Sequence, residues 1–124
     1  MPHVEGSPEQ FKAFMKMDLD GPIHMLNMLR FKPDGGRDTY AKYSEHTRPL
    51  LEKRGGKMVY HAQARKAVIG EEDWDEIFVV EYPTKAAFLD MVMSEEYQKG
   101  VHLRHEALAD SRLICMQNGK LISA

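Results

Sequence analysis

At 124 residues the chain suits one domain, and 43% hydrophobic with 29% charged residues is ordinary globular material rather than a disordered segment. A formal net charge of -2 excludes the basic footprint expected of a nucleic-acid binder or a protein of anionic membranes. The single cysteine, Cys115, excludes an internal disulfide and suits a reducing cytoplasm.

Ser7-Pro8-Glu9-Gln10 opens a short helix, with Ser at the N-cap, Pro at the first helical position and Phe11, Phe14 and Met15 at helical spacing. Residues 1–20 then form a helical extension and 21–124 the main domain. Ile23 to Phe31 is a first strand, closed by the turn Lys32-Pro33-Asp34-Gly35-Gly36. From Arg37 a helix follows with the inward stripe Tyr40, Tyr43, Thr47, Leu50 and Leu51. Pro49 predicts a kink or break near its end, and Gly55-Gly56 a stop.

Lys57 to Ile69 reads as a long second strand, with Met58, Tyr60 and Ala62 on one face and Val59, His61 and Gln63 on the other. Trp74 to Tyr82 reads as the third strand. Thr84 caps a helix that buries Phe88, Met91 and Val92. Ser94 to Tyr97 gives a helical turn, Val101 to Ala109 a further helix, and Arg112 to Gln117 a last strand after a break at Asp110-Ser111. No apolar run approaches the roughly 18 residues that span a bilayer, and MPHVEGSPEQ has neither part of a signal peptide. A cytoplasmic protein is the expectation.

The core order β-α-β-β-α-β is that of an α+β ferredoxin-like plait, an antiparallel sheet with both helices on one face. Its strands carry apolar residues on both faces, Leu26, Met28, Phe78 and Val80 against Met25, Leu29, Ile77 and Val79. The chain's own helices cover one face only. A homodimer with its two sheets face to face is the simplest cover for the other.

The motifs N-x-L-x-F (Asn27 to Phe31), G-G, W-D with six residues between it and Y-P, S-x-x-Y and A-D-S-R occur in that order. They lie in segments such as GPIHMLNMLRFKPDGGRDTYAKY and VIGEEDWDEIFVVEYPTKAAFLDMVMSEEYQ. Over residues 21 to 115 the chain resembles the family called domain of unknown function 1330. The resemblance implies the dimeric α+β barrel fold and the dimer, and it brings no catalytic residue with it.

Asn27 is the first candidate for chemistry, because its amide offers donors and an acceptor within the most apolar strand. Asp75 beside Trp74 has the makings of a desolvated general base under an aromatic lid. Tyr43, His46 and His61 have the spacing to surround a ligand between helix and sheet, with a histidine moving protons. Tyr97 and Arg104 are placed to close the same cavity, the guanidinium suiting a carboxylate.

His102, His105 and Glu106 present ligand types at helical spacing without the second motif a zinc site needs, so no metal is expected. Cys115 lies among apolar strand residues with no neighbouring base and reads as core. No phosphate loop, dinucleotide fingerprint or nucleophile elbow is present, so no cofactor is expected. Three functions stay open: a cofactor-independent isomerase- or monooxygenase-like enzyme for a small carbonyl, phenol or carboxylate compound, a module that binds such a ligand, and a structural dimer.

Overall fold

The computed structural model describes residues 2–117. α1 (Pro8–Lys16) precedes β1 (Ile23–Phe31), α2 (Gly36–Glu52), β2 (Lys57–Gln63), β3 (Glu76–Tyr82), α3 (Lys85–Val92), α4 (Glu95–Ala107) and β4 (Leu108–Met116). The four strands form one antiparallel sheet in the order β2-β3-β1-β4. The ferredoxin-like α+β fold with an additional N-terminal helix is therefore as the sequence predicts. Among the described residues no helix is long and apolar enough to cross a membrane.

Local chemistry explains most of the boundaries. Ser7 and Gln10 make a reciprocal capping box at the start of α1. Thr84 Oγ1 accepts from the Ala87 N–H at 3.0 Å, and Ser94 Oγ accepts from the Tyr97 N–H at 3.2 Å. α2 ends where the Gly56 N–H reaches the Leu51 carbonyl at 2.7 Å, with Gly55 left-handed at φ 82°.

Several boundaries differ from the expectation. α2 runs on through Pro49 to Glu52, because a proline in the last turn removes one donor only. Glu95 to Ala107 is one helix, and β4 starts at Leu108, since Asp110 and Ser111 pair with Arg30 and Leu29 instead of breaking the chain. β2 stops at Gln63, where its partner strand runs out at Glu76. An irregularity between Met58 and Tyr60 also moves Met58 to the face of His61.

The register sorts the two sheet faces and corrects the expected grouping. Phe78 and Val80 lie on the face of Met25 and Leu29, and Ile77 and Val79 on that of Leu26 and Met28, because the pairing sets Val80 opposite Met25 and Val79 opposite Leu26. Ile23, Met25, Asn27, Leu29 and Phe31 of β1 point toward the helices, beside Tyr82, Val80, Phe78 and Glu76 of β3. All but Asn27 in the β1 set are buried, and Ile23 and Leu29 are wholly so. An aromatic layer fills this interior: Phe31 against Tyr40 at 5.6 Å, Tyr40 against Tyr43 at 5.1 Å, and Tyr82 against Phe88 at 5.2 Å between ring centroids. α1 reaches it through Phe14, which meets Phe88 edge-on.

The opposite face carries the row Tyr60, Val79, Leu26 and Ile114 across all four strands, with Ala62, Ile77 and Met28 beside it. Tyr60 is 61% exposed and Ile114 47%.

Candidate functional site

The row through Asn27 on the helix-facing side reads Leu113, Asn27, Phe78, His61 from β4 to β2. Asn27 and His61 are two strands apart, about 10 Å by strand spacing. The next row is Ser111, Leu29, Glu76, Gln63. Asn27 is half-buried and Leu113 is 46% exposed, so the helix layer stops short of this row at the β4 edge.

Above the sheet, α2 supplies Tyr40, Tyr43 and Thr47 from one stripe, and α4 supplies Tyr97 and Arg104. The Tyr43 and Tyr97 hydroxyls share a hydrogen bond of 2.7 Å in the interior. Burial, reinforced by Tyr97 and Tyr40, pushes the Tyr43 phenol well above its ordinary range, and burial does the same to Tyr40. The Arg104 charge opposes both shifts. Both phenols hence stay protonated and remain donors at neutral pH.

Two polar side chains of this layer, a hydroxyl and an amide, have spare capacity. Thr47 Oγ1 is buried with no hydrogen-bond partner among the described residues. Asn27 spends one amide proton on the Met25 carbonyl at 3.1 Å and keeps its oxygen available. Arg104 donates to the Val4 carbonyl and to Ser111 Oγ at 3.3 Å, and Ser111 Oγ donates to the His3 carbonyl at 2.6 Å. An N-terminal strap thus closes the Arg104 end.

His61 Nε2 and Glu76 Oε2 are 3.0 Å apart, and Arg37 pairs with the other Glu76 oxygen. Glu76 is mostly buried, whereas His61 is half exposed, so this pair joins the interior to solvent.

The other sequence candidates lie apart. His46 packs at the α2–α4 crossing, its Nε2 against the Glu96 carbonyl and its ring against Gly100. Asp75 Oδ2 accepts from the Phe31 N–H at 2.8 Å, while its own N–H donates to the Leu29 carbonyl at 2.7 Å. Trp74 sits under the guanidinium groups of Arg30 and Arg112, at 5.7 and 5.0 Å, at the loop end of the sheet. Asp75→Ala leaves the Phe31 N–H without its acceptor and is expected to cost about 1–3 kcal/mol. Chemical denaturation of the variant checks this; an unchanged midpoint would remove Asp75 from the framework.

The structure thus brings Asn27, His61, Tyr43, Tyr97 and Arg104 to one helix–sheet layer, and leaves His46, Trp74 and Asp75 outside it. Tyr40, Thr47, Glu76 and Ser111 join the layer without having been singled out as site residues. The helical spacing of Tyr40, Tyr43 and Thr47 was the available signal, but such a stripe reads first as core. Among the described residues no three His, Cys, Asp or Glu side chains are placed to hold a metal ion.

Known proteins share this fold. RPA0582 of Rhodopseudomonas palustris, a protein of unknown function, is 38% identical, with 98% of this chain and 100% of that one covered and a TM-score of 0.91. A dimeric ferredoxin-like protein of unknown function from Jannaschia sp. CCS1 is 15% identical over 79% of this chain and 100% of that one, with a TM-score of 0.64. SnoaB of Streptomyces nogalater, a cofactor-independent oxygenase, is 10% identical over 85% of this chain and 100% of that one, with a TM-score of 0.54. At such identities the last two show the fold alone. No curated protein matches the chain. The family model described as domain of unknown function (DUF1330) matches residues 35–118, and with that match the chain belongs to the DUF1330 family.

Proposed function

We propose that the protein is a homodimer that binds a small, largely apolar molecule bearing a carbonyl, phenol or carboxylate between its helices and its sheet. The observation that carries this reading is the buried, unpartnered Thr47 hydroxyl, one turn from the Tyr43–Tyr97 pair. A buried hydroxyl without a partner costs about 1–3 kcal/mol. A ligand oxygen that accepts from it recovers that cost, and the Tyr40 and Tyr43 phenols, kept protonated by burial, add hydroxyls that do not titrate near neutral pH. Asn27 orients the ligand from the sheet, and Arg104 suits a carboxylate. The dimer is supported by the apolar row Tyr60, Val79, Leu26 and Ile114, and by the dimeric ferredoxin-like relative from Jannaschia.

One observation favours a catalytic variant of the same site. His61 held by Glu76 on the Asn27 row is a proton carrier oriented by a carboxylate. Asp75 and His46 lie elsewhere, so the binding reading rests on more groups than the enzymatic one.

The test is a thermal-shift panel of small hydroxylated, carbonyl and carboxylated aromatics on wild type, Asn27→Leu and Thr47→Val. A compound at 100 times its dissociation constant stabilises its target by about 2.7 kcal/mol. The expected result is a compound that raises the melting temperature of wild type and leaves both variants unmoved. A compound that shifts all three proteins equally would place binding elsewhere and overturn the reading.

A further inference from the structure

The loop from Ala64 to Asp75 combines a braced base with a bare tip. At the base, the Ala64 N–H donates to the Asp75 carbonyl at 3.0 Å, and Asp75 is fixed to β1 through Leu29 and Phe31. Arg30 Nε donates to the Asp73 carbonyl at 3.1 Å, and Trp74 is held under Arg30 and Arg112. At the tip, Val68 is 94% exposed and Ile69 95%. Two adjacent aliphatic side chains in water at the end of a fixed arm gain nothing from their own chain.

The charges on the two limbs are opposite. Arg65 and Lys66 precede the tip, and Glu71, Glu72 and Asp73 follow it. Among the described residues Arg65, Lys66 and Glu71 take part in no ion pair, while Glu72 lies 3.6 Å from Arg112.

We propose that this loop is a clasp for a second copy of the chain, docking tip to tip on the same loop about a two-fold axis. Antiparallel approach of two such loops sets the two aliphatic tips against each other. It also sets the basic limb of each against the acidic limb of the other, so each contact occurs twice. Arg30 and Arg112, which brace the base, project from the sheet face that bears the Tyr60–Ile114 row. The clasp therefore continues the homodimer reading and rests on it. A basic limb beside aliphatic residues also suits an anionic bilayer, but the three carboxylates on the other limb oppose that.

Sedimentation velocity over a concentration series on the full chain tests the clasp. The variants are Val68→Ser/Ile69→Ser, Lys66→Glu, Glu71→Lys and the double Lys66→Glu/Glu71→Lys, with circular dichroism as the control for folding. The serine pair is expected to raise the dimer dissociation constant about 100-fold. Each single reversal is expected to raise it about fivefold, and the double reversal to restore it, because positions 66 and 71 carry like charges across the contact only in the singles. A wild-type dimer whose constant is unchanged by the serine pair overturns the clasp and leaves the homodimer standing. A monomeric wild type overturns both. Co-sedimentation of wild type, but not the serine pair, with phosphatidylglycerol–phosphatidylcholine vesicles would assign the tip to a membrane and overturn the clasp.

Discussion

From about pH 10.5 upward, the folded state is expected to lose about 4 kcal/mol of stability for each pH unit. Tyr40, Tyr43 and Tyr82 are buried, and burial raises each phenol above its ordinary pKa. The unfolded chain releases these three protons near pH 10, while the folded chain keeps them. Protons bound by the unfolded state are then fewer, so stability falls as pH rises, by about 1.4 kcal/mol per unit for each group. Below pH 10 both states hold the protons and the effect vanishes. With total stability on the order of 5–15 kcal/mol, unfolding should occur within a few pH units of the onset. Guanidinium denaturation at stepped alkaline pH measures the slope, and phenolate absorbance should appear together with unfolding. Tyr82→Phe is the informative variant, because among the described residues that hydroxyl reaches only Met91 Sδ, at 3.8 Å. It should reduce the slope to about 2.7 kcal/mol per unit. A flat stability profile beyond pH 11 would mean that these phenols are not closed off from water.

The parts of this structure visible in the sequence are those governed by local chemistry. The capping box at Ser7, the stop at Gly55 and the β1 alternation follow from residues within a few positions of one another. The apolar outer face was legible for the same reason, since a strand hydrophobic on both sides must be covered twice. The end of β2 was not legible. Ala64-Arg65-Lys66-Ala67-Val68-Ile69 carries strand-like aliphatic residues, yet pairing stops where β3 begins, and the Asp75 bonds to Leu29 and Phe31 set that point. Asp75 reads as a general base under the Trp74 ring because the neighbours of both in space come from β1 and β4, far off in sequence. The site was half legible for a related reason. Tyr43 and Tyr97 meet only because α2 and α4 cross, and Thr47 becomes notable only once it is seen to lack a partner.

That crossing makes the sharpest stability prediction. A Cβ at Gly100 would overlap the His46 ring, within 2.7 Å of its Cγ and Nε2. The ring cannot swing aside freely, because its Nε2 is bonded to the Glu96 carbonyl one turn back on α4. In a helix interior, glycine to alanine alone gains about 1 kcal/mol, whereas overpacking at a fixed contact costs about 1–3 kcal/mol. The overlap is deepest at the His46 Cδ2, which puts the cost at the upper end of that range, so Gly100→Ala is expected to destabilise the wild type by about 1–2 kcal/mol. In a His46→Ala background the obstruction is gone and only the helix term remains, so the same substitution should stabilise by about 1 kcal/mol. The sign reversal corresponds to a coupling of about 2–3 kcal/mol between the two positions, measurable by a denaturation cycle on four proteins. Additive effects would show that the helices separate enough to admit a methyl group, and that His46 does not set their distance. Full coupling would instead make His46 the spacer that fixes how closely α4 brings Tyr97 to Tyr43, a positioning role for a residue that lies outside the site.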